Sequence, residues 1–274
     1  RVVVSVFVVM LPGVASAQEA FDVEPARFPL EGAFSRATAA ACRDILWRDL
    51  GLSPDKPEDW KEPVMRLGMY SDPPFREAVS SPRLGAALDQ LVGAGRWIQW
   101  EALGHMVVRF PRGAPWDDGW HMDASFPPLN DPASLDFFQW RINYLSRDRA
   151  MLMLFLLSDC GTDDAPTRVR VGSHLPMARQ LEAHGPDGAS LMELAKEGFA
   201  CSDHCDVALA TGEAGTVWLL HPFTVHAAQA HQGTNPRFIA QPGLLPSVQL
   251  EIERESGVYS PVEAAIRLGL GRAP

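Results

Sequence analysis

In the stretch Trp120-His121-Met122-Asp123-Ala124-Ser125-Phe126 an imidazole and a carboxylate are separated by a single residue. On an extended strand successive side chains alternate between faces, so His121 and Asp123 would point to one side and Met122 to the other. Such a pair is a two-toothed clamp for a metal ion. A second histidine from a distant part of the chain would complete two imidazoles and one carboxylate on one face of the metal. The opposite positions would stay open, the arrangement expected of non-haem Fe(II) oxygenases. His226, 105 positions further on, is the candidate third ligand.

A histidine and an aspartate at this spacing are weak evidence alone, because the chain has eight histidines and repeats the pattern at His204-Cys205-Asp206. The surroundings separate the two. His204 lies in the polar run Cys201-Ser202-Asp203-His204-Cys205-Asp206, which reads as a loop, and it is too close to His226 for several strands to intervene. The distance from His121 to His226 leaves room to wind a sheet around a site.

Taken in order, Trp120-His121-Met122-Asp123, Val171-Gly172-Ser173-His174, and His226 with Arg237 eleven positions on resemble the phytanoyl-CoA dioxygenase family of Fe(II)/2-oxoglutarate oxygenases. The resemblance spans about residues 100–245. It implies that His121, Asp123 and His226 hold Fe(II) and that Arg237 pairs with the far carboxylate of the cosubstrate 2-oxoglutarate. A guanidinium suits that role because it is always charged and grips a carboxylate with two parallel hydrogen bonds. Trp140 falls where the family lines the cosubstrate pocket, or is a core aromatic. Arg66 corresponds to a basic residue contacting the cosubstrate, or lies on the surface. Many members carry polar residues after the distal histidine where this chain has Ala227-Ala228 and His231.

The implied reaction converts 2-oxoglutarate and O2 to succinate and CO2 while an unactivated C–H bond of a small metabolite is hydroxylated. Halogenating relatives have a small residue at the carboxylate position, so Asp123 favours hydroxylation. The alternative is a cupin-like metal-binding protein without 2-oxoglutarate turnover, which would have no need of a guanidinium at position 237.

Composition agrees with a compact enzyme. A chain of 274 residues, 46% hydrophobic, can bury a large core as one domain, taken here as 21–274. The net charge of −10 argues against nucleic acid as a partner, since phosphate binding leans on clustered Lys and Arg. Cys42, Cys160, Cys201 and Cys205 form no C-x-x-C pair, which suits a reduced, cytoplasmic protein. Residues 1–20 are a signal-like or mis-started segment. Val2 to Val9 is apolar and Ala15-Ser16-Ala17 resembles a cleavage site, which leaves export as the alternative location. That run is too short for a confident membrane span, so no stable membrane association is expected.

The remaining chain supplies the scaffold. Apolar residues at helical spacing between Ser35 and Leu50, stopped by Gly51, predict a helix. Ser81-Pro82 caps another over Leu84 to Leu91, and Ser260-Pro261-Val262-Glu263 is a capping box for a last one. Between them, His105 to Phe110, Trp140 to Tyr144, Met151 to Leu157, Thr167 to Val171, Val207 to Ala210 and Thr216 to Leu220 read as strands. Thr167 to Val171 would put Arg168 and Arg170 on one face. Met177 to Ala183 and Leu191 to Lys196 read as short helices, and His226 to Ala230 with Arg237 to Gln241 as a hairpin. His105 and His221 are assigned to core or supporting positions, and His174 with Ser173 to a structural turn. Many short strands behind N-terminal helices predict a mainly β protein with a double-stranded β-helix (jelly-roll, cupin-like) core buttressed by helices.

Overall fold

The computed structural model describes residues 29–273. The signal-like segment 1–20 lies outside the described residues. Among these residues twelve strands and six α-helices follow one another. The strands are β1 (Pro29–Leu30), β2 (Val64–Leu67), β3 (Met106–Arg109), β4 (Arg141–Ile142), β5 (Met151–Leu156), β6 (Arg168–Arg170), β7 (Ala189–Ser190), β8 (Val207–Leu209), β9 (Val217–Leu220), β10 (His226–Ala227), β11 (Arg237–Ala240) and β12 (Gly243–Leu244). The helices are α1 (Arg36–Leu50), α2 (Pro73–Val79), α3 (Pro82–Val92), α4 (His174–Ala183), α5 (Leu191–Lys196) and α6 (Pro261–Gly269).

The larger sheet runs β1-β9-β5-β11-β3-β2, with β12 also on β5, and the smaller runs β10-β6-β8; the pairings are antiparallel. A two-stranded β4-β7 ribbon stands beside them. The architecture is the expected jelly roll with flanking helices.

Strand alternation explains how one sheet serves two cores. Met151, Met153 and Phe155 of β5, Val217 and Leu219 of β9, and Phe238 and Ala240 of β11 join the larger cluster, which includes the helix residues Leu46, Leu88 and Ile266. The intervening Leu152, Leu154, Leu156, Trp218, Leu220 and Ile239 join a second cluster with Val169 and Ala210 from the smaller-sheet side. All six residues of β5 are buried, which is why its sequence is a continuous apolar run. Each large side chain so buried contributes about 1.5–3 kcal/mol.

The helix termini follow local chemistry. The Ser35 side chain accepts from Thr38 N and starts α1, and Gly51 ends it at φ 67°, a left-handed conformation that costs glycine little. Ser81 caps α3, with Pro82 in the first turn. In α6 both halves of the capping box form between Ser260 and Glu263. Glu263 is fully buried, where it also meets Arg96 and Arg254 at 2.7 and 2.6 Å.

Three expectations need correction. Residues 226–230 and 237–241 do not form a hairpin: β10 pairs with β6 in the smaller sheet, whereas β11 lies between β3 and β5 in the larger one. The connecting turn therefore crosses from one sheet to the other. His105 is not a core residue; it precedes β3 at φ 54° and is exposed. The strand expected over Trp140 to Tyr144 is reduced to Arg141–Ile142.

Candidate metal centre

His121 and His226 face each other as an isolated antiparallel bridge, each backbone N–H donating to the other's carbonyl at 2.9 Å. The metal motif thus adds one rung to the edge of the smaller sheet. Directly opposed residues place their side chains on the same face, and the two imidazole centroids are 4.4 Å apart. Asp123 returns to that face two residues on, while Met122 between them is buried in the larger core. The strand is also gripped from below: the guanidiniums of Arg168 and Arg170 lie over the Trp120 ring, with Cζ 4.8 and 4.4 Å from its centroid.

Both histidines are oriented in the same way. Nδ1 of His121 lies 2.9 Å from the carbonyl of Gly119, and Nδ1 of His226 lies 3.1 Å from that of Thr224. A proton held on Nδ1 by the carbonyl two residues upstream leaves the Nε2 lone pair for a metal. Val225, next to His226, donates its N–H to the Ser173 hydroxyl at 2.9 Å, so the Gly-Ser-His turn fixes the approach to the distal histidine.

Ligand atoms of His121, Asp123 and His226 lie within 4.8 Å of one another, the one such grouping among the described residues. Asp123 Oδ1 is 3.7 Å from His226 Nε2, while its Oδ2 accepts from Arg149 Nη1 at 3.1 Å. Burial alone would raise the Asp123 carboxyl, but His226, Arg149, His121 and His105 together hold it below the ordinary carboxylate value. Burial, reinforced by His121, lowers His226 to about 4, so it is a neutral imidazole at pH 7. One carboxylate and two imidazoles form a donor set that fits Fe(II).

A cavity of about 460 Å³ opens from this group. Arg237 lies along its wall, 2% exposed, with Nη1 donating to the carbonyl of Ala165 and Nε without a partner. It makes no ion pair among the described residues, and burial lowers it to about 10. Its cross-strand neighbour is Arg109, also buried, whose Nη2 donates to both oxygens of Asp117 at 2.7 and 2.8 Å. Arg66 is half-exposed at the same wall, bound to Asp117 at 2.6 Å. Trp140 also lines the cavity, its Nε1 donating to Ser134 at 2.8 Å and its ring against Phe137.

Residues that sequence reasoning missed are Arg109, Asp117 and Arg149. Arg109 carried a usable signal, a charge inside an otherwise apolar strand. Asp117 and Arg149 sit in polar turns where nothing distinguishes them from solvated residues. His204 behaves as expected: it follows a 3-10 turn at Ala200–Ser202 and takes no part in the group.

The jelly roll thus sets two histidines and an aspartate beside the edge of its smaller sheet, facing an open cavity. Residues 30–239 match the phytanoyl-CoA dioxygenase (PhyH) family, and the chain belongs to it. Members of this family use Fe(II) and 2-oxoglutarate. No curated protein matches the chain. Among solved structures it is similar to GlcNAc Inducible Gene 2 from Candida albicans, with 12% identity over 80% of this chain and 60% of that one and a TM-score of 0.53. It is also similar to the α-ketoglutarate-dependent carbocyclase SnoK from nogalamycin biosynthesis (16% identity, 80% and 79% covered, TM-score 0.51). A third is the epimerase SnoN in complex with Fe3+, α-ketoglutarate and nogalamycin RO (16%, 84% and 82%, TM-score 0.50). At these identities the likeness is one of fold.

Proposed function

We propose that this chain is a Fe(II)/2-oxoglutarate-dependent dioxygenase that hydroxylates an unactivated C–H bond of a small molecule. The observation that carries the reading is Arg237: a guanidinium buried without a carboxylate partner, in the cavity that holds the metal group. A buried unpaired charge is costly, and the distal carboxylate of a keto diacid would relieve that cost. A protein that only bound metal would gain nothing from Arg237, which is what separates the two readings.

In this reading His121, Asp123 and His226 would hold Fe(II), and Arg237 would fix the far end of 2-oxoglutarate. Bound iron and cosubstrate would supply the oxygen chemistry, yielding succinate and CO2. The chain itself orients and excludes water. Asp117 ties Arg66 and Arg109 together, so these two guanidiniums share one carboxylate while Arg237 keeps its charge for the ligand. Trp140 and Phe137 offer aromatic wall to a substrate, and Met69, Trp100 and Leu245 line the same cavity. That lining and volume favour a small, largely apolar metabolite. Among the described residues no helix is long and apolar enough to cross a membrane. The four cysteines are free thiols, which suits a cytoplasmic setting where Fe(II) and 2-oxoglutarate are available.

The test is anaerobic reconstitution with Fe(II), then exposure to O2 with 2-oxoglutarate and a panel of small apolar candidates. Succinate formation and a substrate gaining one oxygen atom support the assignment. Metal binding with no 2-oxoglutarate consumption under any condition supports the cupin-like alternative.

A further inference from the structure

The candidate ligand Asp123 is held by a side chain that the sequence did not single out, and three features of the fold converge on that side chain. Arg149 donates from Nη1 to Asp123 Oδ2 at 3.1 Å and from Nη2 to the carbonyl of Ala124 at 2.8 Å. One planar fork therefore fixes both the carboxylate and the backbone just after it. Arg149 itself ends a turn in which Ser146 and Asp148, neither of them glycine, have φ of 50° and 59°. Such conformations persist only where surrounding contacts enforce them. Here the fully buried Ser146 donates from Oγ to the carbonyl of Arg149 at 2.7 Å, and Arg149 N–H returns to the carbonyl of Ser146 at 3.2 Å. The third feature is Gly243 of β12. A Cβ there would stand 2.9 Å from Arg149 Cζ and 3.0 and 3.2 Å from its Nη1 and Nε. Only a residue without a side chain leaves the guanidinium this seat.

The consequence concerns how many coordination positions Asp123 takes. A carboxylate can bind a cation through one oxygen or two. With Oδ2 engaged by Arg149, Oδ1 is the oxygen left toward His226 Nε2, 3.7 Å away. An aspartate free to turn would present both oxygens and occupy a position that a chelating keto acid or oxygen needs. We propose that Arg149 is a positioning residue that holds Asp123 as a one-oxygen metal ligand, with Gly243 and the 146–148 turn serving to seat it. The proposal rests on the metal-site reading above and adds to it a device for keeping the metal open.

The test uses full-length protein loaded with Co(II), whose visible absorption reports coordination number, and reads metal affinity separately by calorimetry. In Arg149→Met the Co(II) affinity falls roughly 10–100-fold, as for other residues that orient metal ligands. At saturating metal its spectrum shifts toward higher coordination and responds less to added 2-oxoglutarate. Gly243→Ala, which removes no polar group, shifts the spectrum in the same direction. Arg149→Lys recovers part of the affinity without restoring the parent spectrum, since an ammonium cannot make both bonds in one plane. Parent-like Co(II) spectra in both Arg149→Met and Gly243→Ala overturn the proposal and leave the metal site standing. If Arg149→Met does not fold, Gly243→Ala decides alone. A parent protein that binds no Co(II) overturns both the proposal and the reading beneath it.

Discussion

Among the described residues two pairs of histidines lie close together, and their surroundings differ. His121 and His226 have ring centroids 4.4 Å apart; His174 and His221 have theirs 4.9 Å apart. The first pair has a carboxylate beside it, Nδ1 atoms directed at backbone carbonyls, and a cavity in front. The second is buried at the start of α4 and after β9, with Phe223 edge-on to His221 at 4.9 Å. Burial is the largest influence on both, lowering His174 to about 4 and His221 well below its ordinary value, and no carboxylate contributes to either. Proximity of imidazoles is thus not what marks a metal site. An anion to balance the ion, a lone pair left free, and access for further ligands are.

The sharpest way to break this contrast is to delete one ring from each pair. His121→Ala and His226→Ala are expected to abolish Fe(II) binding measured by metal analysis after anaerobic loading. His174→Gln keeps the metal but lowers the melting temperature. Loss of metal in His174→Gln with retention in His226→Ala would reverse the assignment.

Arg237 comes next in size. Arg237→Leu keeps the metal and weakens 2-oxoglutarate by about 2–5 kcal/mol, the usual cost of truncating one partner of a buried charge pair. Calorimetry on metal-loaded protein reads this as a loss of at least about 30-fold in affinity.

Acid separates the pairs without mutation. As the pH drops, the unfolded chain protonates His174 through its ordinary value of 6.5, whereas the native chain does so only near 4. Native stability therefore falls across that window, by about 3 kcal/mol for a shift of this size. Denaturant unfolding of metal-free protein at pH 7 and pH 4.5 checks the direction, and His174→Gln should shrink the difference. His226 titrates over the same window. In loaded protein its share appears as metal release, while that of His174 persists as lost stability.

The smallest effect joins the two pairs. Ser173 precedes His174 and holds the N–H of Val225, next to His226. Ser173→Ala leaves that buried donor unpaired, at about 1–3 kcal/mol, and should loosen metal binding only slightly, in contrast to the ligand deletions. Thermal melts and metal titration of this one variant measure both.

What the sequence made legible follows the same division. The capped helices and the fully buried β5 depend on local pattern and lie where expected, and the structure brings His121, Asp123 and His226 together with Arg237 on the wall of the same cavity. The hairpin predicted around 226–241 failed because strand pattern records which residues are extended and does not record which sheet they join. Residues 228–236 read as a turn whether the chain reverses on one sheet or crosses between two. His105 failed for a related reason: buried apolar residues lie on both sides of it, Leu103 and Met106, but its own backbone is left-handed and it lines the cavity. Arg149 was illegible because its role is set by Asp123 and Gly243, 26 positions before it and 94 after it in the sequence.

The central claim is that three distant side chains converge on one ion with a guanidinium placed for the cosubstrate. Calorimetric titration of 2-oxoglutarate into protein prepared with and without anaerobic Fe(II) tests it most directly. Strong binding that requires the metal, and that weakens in Arg237→Leu, is the predicted result. Binding of equal strength with and without iron, or unchanged in Arg237→Leu, would contradict it.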